Sequence, residues 1–145
     1  MTDAEVKEAV KELVAQKDIV FVLATVDADA APQCRLMGAL VLEGEFEILM
    51  ATYPNARKVK QIEQNPKAQL LFSTEDYKKV ATLSGTAEME ESLETKKKFW
   101  DAVPACADYH KSHDAPDFGL MRVKTQSMEY IDLAVRNAPF KVELA

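Results

Sequence analysis

The stretch Gln33–Thr52, QCRLMGALVLEGEFEILMAT, decides the fold class. It is dominated by apolar residues and is interrupted once, at Glu43-Gly44. Two strands, about 33–42 and 46–52, joined by a tight turn make an antiparallel unit, because a parallel pair needs a crossover of about a dozen residues or more. The neighbouring segments repeat the pattern. DIVFVLATVD (18–27) is rich in β-branched residues and reads as a strand, followed by the turn DADAAP (27–32). NPKAQLLFST (65–74) starts another strand, the polar EDYKK (75–79) turns the chain, and VATLSGTAEME (80–90) continues as a further strand. FGLMRVKTQSMEYIDL (118–133) reads as a strand pair or as one long bent strand. The tail AVRNAPFKVELA (134–145) shows no clear period. Short strands adjacent in sequence, with a few helices interposed, predict a mainly β protein: an antiparallel barrel with flanking helices.

The totals bound the function. A chain of 145 residues, 48% hydrophobic and 29% charged, has the size and composition of one globular domain, and residues 1–145 are expected to form it. No apolar run reaches the roughly 20 residues of a membrane span. The net charge of −6 argues against nucleic acid as a partner. Cys34 and Cys106 form no CxxC and read as free, buried or half-buried thiols of a reducing cytoplasm. The opening segment is an acidic amphipathic helix (3–16), which predicts no signal peptide. Thr2 and Glu5 form its capping box, and Val6, Ala9, Val10, Leu13 and Val14 its apolar stripe.

Two further helices are expected. SLETKKKFWDA (92–102) obeys the dipole rule, with Ser92 as cap and Glu94 in the first turn. TYPNARKVKQIEQNP (52–66) breaks it. Asn55 can cap this helix and Val59 and Ile62 share a face, yet Arg57 and Lys58 fall in the first turn, where each cation is disfavoured by about 0.3–1 kcal/mol. Either a bound anion such as a phosphate offsets that cost, or both side chains are solvated at the surface.

Other constellations are open. Cys106, His110 and His113 in CADYHKSHD would share a face if the stretch were helical, which would suit zinc or haem iron; a solvated or dimer-contact segment is the alternative. Trp100 and Phe99 read as core packing, and Met37, Met50, Met89, Met121 and Met128 as barrel core. Gly85 marks a bulge or a close backbone contact. Four glycines leave little room for a phosphate-binding glycine loop, and no catalytic triad is visible.

LATVDADAAPQCRLMGA (23–39), ILMATYPNARKVKQIEQNPKAQLLF (48–72), LSGTAEM (83–89) and FGLMRVKTQSMEYIDL (118–133) resemble the pyridoxamine 5′-phosphate oxidase-related proteins, and more narrowly their small general-stress-protein branch. The most specific block is T-x-x-x-x-R-K-x-x-Q-I-x-x-N-P, Thr52–Pro66. The resemblance implies a six-stranded antiparallel split β-barrel over about 18–133, a homodimer, and FMN bound at the dimer interface. It implies that Arg57 and Lys58 hold the FMN phosphate, with Arg35 near it. Thr52 would face the cofactor, the main chain of Leu36 and Met37 would run along the ring, and Gln61 is a further candidate. Two positions depart from the pattern: Ala56 where many relatives have Ser, and Ile131 where many have Trp. The extended C-terminus of the true oxidases has no counterpart, so vitamin B6 oxidation is not expected. The implied function is a cytoplasmic FMN-dependent oxidoreductase of unknown substrate. The alternatives are a non-catalytic flavin-binding or stress-related module, a haem- or metal-binding split barrel using His110 and His113, and a degenerate structural dimer.

Overall fold

A computed structural model describes residues 1–144. Helix α1 (Asp3–Val14) leads into β1 (Val20–Val26), β2 (Pro32–Gly38), β3 (Val41–Glu43) and β4 (Glu47–Thr52). Helix α2 (Arg57–Gln64) precedes β5 (Lys67–Ser73) and β6 (Lys79–Met89). Helix α3 (Leu93–Ala102) and a 3₁₀ turn (Pro104–Asp108) precede β7 (Gly119–Asp132) and β8 (Phe140–Glu143). The protein is mainly β, as the strand pattern predicts. All pairings are antiparallel, in the order β2-β1-β5-β6-β7-β4-β3, with β8 on β7.

The expected strand from 33 to 42 is two strands. It breaks after Gly38, where Ala39 takes a φ of 58°, and its halves join opposite ends of the sheet. Ala39 and Leu40 alone separate β2 from β3. Three Cα steps span at most about 11 Å, so the sheet must curl until its ends meet, yet β2 and β3 do not pair. The result is a half-barrel with an open seam. Six strands correspond to the expected six; β3 and β8, three and four residues long, are additions. A four-residue alternation was too short to read as a period in the tail. Helix α1 ends at Val14 rather than at 16.

Alternation dictates the core. Phe21, Leu23 and Thr25 of β1, Ala68, Leu70 and Phe72 of β5, and Ala81 and Leu83 of β6 point inward and are buried. Phe21 stacks on Phe72 with ring centroids 5.1 Å apart. Helix α1 closes one side with Val6, Val10, Leu13 and Val14; each such side chain contributes about 1.5–3 kcal/mol on burial. Its capping box forms as expected: the Glu5 N–H donates to Thr2 Oγ1 (3.1 Å) and the Thr2 N–H to Glu5 Oε2 (2.7 Å). Ser92 caps α3, accepting from the Thr95 N–H. Met37, Met50, Met121 and Met128 are buried, and Met89 packs against the core.

A second apolar cluster lies outside the barrel. Phe99, Cys106 and Phe118 cover Leu49 and Leu120, so β4 and β7 are buried on both faces there. Trp100 meets Phe118 edge-on at 5.5 Å, consistent with packing. Cys34 is exposed, contrary to expectation, because its position opposite Ala24 puts it on the convex face. Arg122 ties the β3–β4 hairpin to the approach of α3. Its Nη1 lies 2.8 Å from Glu43 and its Nη2 2.9 Å from Glu90, whose other oxygen accepts from the Ser92 N–H.

Gly85 sits at the register shift between β6 and β7, where an added Cβ would overlap the Lys124 carbonyl. Gly85→Ala should therefore destabilise the fold by about 1–3 kcal/mol. A thermal melt followed by circular dichroism should show a midpoint several degrees lower; an unchanged midpoint would mean that the bulge yields freely.

Candidate functional site

A cavity of about 880 Å³ opens along the seam, within the roughly 300–1,000 Å³ range of ligand sites. Leu36, Met37 and Gly38 line one side, and Thr52, Tyr53 and Lys58 another. The α3 segment and the residues after it, including Val103 and His110, form the outer wall.

Three cations gather behind this cavity. The register that pairs Leu23 with Arg35 puts Arg35 on the concave face. Its guanidinium donates to Thr25 Oγ1 (2.7 Å), to the Leu23 and Gln33 carbonyls, and to Gln61 Oε1 (3.0 Å). Gln61 Oε1 also accepts from Thr25 Oγ1 at 2.6 Å. The Gln61 oxygen is thus engaged on β1 and β2, and its NH₂ group stays available. Burial and the neighbouring Arg57 press the Arg35 pKa down, against the pull of Cys34. Burial, and then Arg35, depress the Lys58 ammonium in the same way. Arg35, Arg57 and Lys58 make no ion pair among the described residues.

The helix that carries two of them starts one residue later than expected. Its N-cap is Ala56, not Asn55, and no side chain caps it. The first turn holds no acid. The backbone N–H groups of Arg57 and Lys58 find no acceptor among the described residues. A helix start without a cap forgoes about 1 kcal/mol, and here unpaired donors and unpaired cations meet at one helix end. At the close of the preceding strand, Thr52 is 6% exposed and its Oγ1 has no hydrogen-bond partner.

The structure brings most of the expected residues together. Thr52, Lys58, Leu36 and Met37 reach the cavity, and Arg35 and Gln61 form one network beside it. Arg57 lies next to Lys58 with its side chain exposed. The Leu36 side chain turns to the convex face and is 72% exposed, so Leu36 can offer the cavity only its main chain. As an edge strand, β2 has main-chain groups with no strand partner on its free side. A phosphate ester with a flat ring fits this donor set: cations, open N–H groups and a buried orphan hydroxyl on one side, and a free strand edge on the other. Ile131 pairs with Val80, at the opposite end of β7 from Gly119, which pairs with Thr52. Its departure from the family pattern does not touch this cavity within one chain.

Sequence reading missed Thr25. The signal was present, because a threonine alternating in phase with Phe21 and Leu23 is a polar group at a core position. It also misplaced the histidines. The 3₁₀ turn stops at Asp108, so Cys106, His110 and His113 do not share a helical face. Among the described residues, no three His, Cys, Asp or Glu side chains are placed to hold a metal ion. His110 is instead buried between the rings of Tyr53 (4.9 Å) and Phe118 (5.1 Å). No helix among the described residues is long and apolar enough to cross a membrane.

Comparison with known proteins places this geometry. The general stress protein 26 of Bacillus anthracis str. Sterne superposes with a TM-score of 0.81 at 24% identity, over 97% of this chain and 99% of that one. A pyridoxamine 5′-phosphate oxidase-related, FMN-binding protein from Nostoc punctiforme gives 0.69 at 15% identity, over 92% and 83%. A haem-binding protein from Mycobacterium smegmatis gives 0.75 at 20%, over 99% of this chain and 58% of that one. These identities establish a shared fold, the split barrel. No curated protein matches the sequence significantly. The family model for pyridoxamine 5′-phosphate oxidase matches residues 6–132, through the strands, the seam and the helix bearing Arg57 and Lys58, and the chain belongs to that family.

Proposed function

We propose that the protein binds FMN in the seam cavity, as a cytoplasmic homodimer with the cofactor at the interface, and acts as a flavin-dependent oxidoreductase. The observation that carries this reading is the cluster of Arg35, Arg57 and Lys58, without ion pairs, at a helix start with no cap. Arg57 and Lys58, with the open first-turn N–H groups, hold the phosphate dianion. Arg35, fixed by Thr25 and Gln61, contributes charge from behind. The Thr52 hydroxyl gains the partner it lacks, the free edge of β2 at Leu36 and Met37 bonds the ring, and the Gln61 NH₂ group faces the cofactor. FMN, when bound, supplies hydride transfer at its ring; the protein's part is to position it and balance its charge.

The dimer reading draws on the convex face. Leu36 and Leu71 both stand opposite Val22, so the three form an apolar row across β2, β1 and β5. Leu36 and Leu71 are 72% and 41% exposed, and Val20 is exposed on the same side. Such a row on a sheet face marks an interaction surface, and a second copy of the row is its natural complement. The cavity abuts the strand that carries Leu36, which agrees with a cofactor shared between subunits.

Arg57→Ala combined with Lys58→Ala should abolish retention of FMN after desalting, read as loss of the visible flavin band, with the circular dichroism spectrum unchanged. A variant that stays yellow would refute the phosphate assignment, and a Soret-type band in the wild type would replace flavin by haem. Ala56→Ser should tighten FMN binding by adding a hydroxyl that donates to the phosphate, a gain of about 1.5 kcal/mol. Reduction of bound FMN by NADH or NADPH, followed by reoxidation with an acceptor, separates an enzyme from a carrier.

Lys58→Met carries a signed prediction. The folded-state pKa of Lys58 lies below its unfolded value near about 10.4, so the charged form opposes folding wherever both states are protonated. That cost fades as pH rises from the folded pKa to the unfolded one. At pH 7 without FMN, Lys58→Met should leave stability equal or raise it by up to about 0.5 kcal/mol, since the half-buried ammonium is partly screened. With FMN at one hundred times its Kd, the wild type should gain about 2.7 kcal/mol, and the variant less at the same concentration. Urea melts at both conditions measure this.

A further inference from the structure

The seam cavity reaches past the residues assigned to FMN, to a wall formed by Tyr53, His110, Val103 and Cys106. His110 is 8% exposed, and its Nδ1 has no hydrogen-bond partner. Nδ1 is 3.4 Å from Asp117 Oδ1, an electrostatic contact without hydrogen-bond geometry. Asp117 belongs to a second, smaller cavity of about 530 Å³, which His110 also lines. The imidazole is therefore a partition. Its Nδ1 side faces a carboxylate, which favours the proton on that nitrogen. Nε2, at the other end of the ring, is then an acceptor, and it makes no hydrogen bond among the described residues. The ring cannot tilt freely, because Tyr53 and Phe118 pack against it. Nδ1 is turned to Asp117, so Nε2 is the ring nitrogen left to take a partner from the seam cavity that His110 lines.

We infer that this wall is a subsite for an apolar, ring-sized molecule bearing a hydroxyl group, whose O–H donates to His110 Nε2. Val103, Cys106 and the Tyr53 ring supply the apolar walls, so the molecule needs one polar contact and an otherwise greasy body. Tyr53 directly follows Thr52, which puts the subsite beside the ring of the cofactor and makes its occupant the reactant. The inference rests on the flavin reading for that role, and on His110 alone for binding.

The probe is p-cresol, with 4-methylanisole as a ligand of nearly the same shape that has no proton to donate. The chain has two histidines, so the ring-proton NMR signals of His113 serve as an internal reference for those of His110. p-Cresol added to flavin-free protein should move the His110 signals saturably and leave those of His113 in place. 4-Methylanisole should bind about tenfold more weakly, the value of one hydrogen bond to a buried acceptor. His110→Phe, which keeps an aromatic ring between Tyr53 and Phe118, should bind p-cresol as weakly as the wild type binds 4-methylanisole and should still retain FMN. Equal affinity for the two probes, no shift at His110, or p-cresol binding that survives His110→Phe would each overturn the subsite. FMN retention is read on the same samples by absorbance after desalting. A wild-type protein that retains FMN but does not bind p-cresol refutes the subsite alone, and a wild-type protein that binds p-cresol at His110 but does not retain FMN refutes the flavin reading alone.

Discussion

The structure depends on a short piece of backbone. Ala39 and Leu40 connect strands at opposite ends of one sheet. Two residues cannot bridge the width of a flat seven-strand path, since neighbouring strands lie about 4.8 Å apart. The sheet must therefore roll up, and β2 and β3 meet at the seam without pairing. Curvature, seam and cavity are one consequence of that constraint. Helix α2 follows β4, packs against β1 and β6, and leads into β5.

Charge is distributed unevenly over this frame. On the outer face, Arg122 meets Glu43 and Glu90 at hydrogen-bond distance with Glu47 nearby, so a buried cation there is fully answered. At the seam, Arg57 presses on Arg35 and Arg35 on Lys58, and no carboxylate pairs with any of the three among the described residues. The protein can pair its cations when pairing serves the fold. Leaving three unpaired costs stability in the isolated chain, a cost that a bound dianion would recover as affinity. The net charge of −6 makes the contrast sharper, because acids are plentiful elsewhere.

Much of this was legible in the sequence, for definable reasons. The strands announced themselves by alternation and by turn residues, and Thr2-x-x-Glu5 and Ser92 marked helix starts through local chemistry. Arg57 and Lys58 stood out because they violate an electrostatic rule that the other helices obey. What escaped was long-range. The break at Ala39 follows from closure of the sheet and leaves no local mark, because alanine seldom takes a positive φ and nothing in its identity announces one. Ala56 displaced Asn55 as N-cap although asparagine is the better capping residue. The burial of His110 depends on Tyr53 and Phe118, both distant in sequence, so spacing within CADYHKSHD could not reveal it.

Strand β7 pairs with β6 along one side and with β4 along the other, and it carries β8. Before it docks, β4 and its β3 hairpin have no attachment to the rest of the sheet except through chain connectivity. Thr52 is held against Gly119, the first residue of that strand. Assembly of the binding cleft is therefore a late event in folding: a chain emerging in order from the ribosome can form β1, β2, β5 and β6 as a sheet, but it cannot close the cleft until Gly119–Asp132 arrives. Contacts so distant in sequence slow folding and expose unpaired strand edges in the interval, and Thr52 takes its place beside the seam cations only at its end.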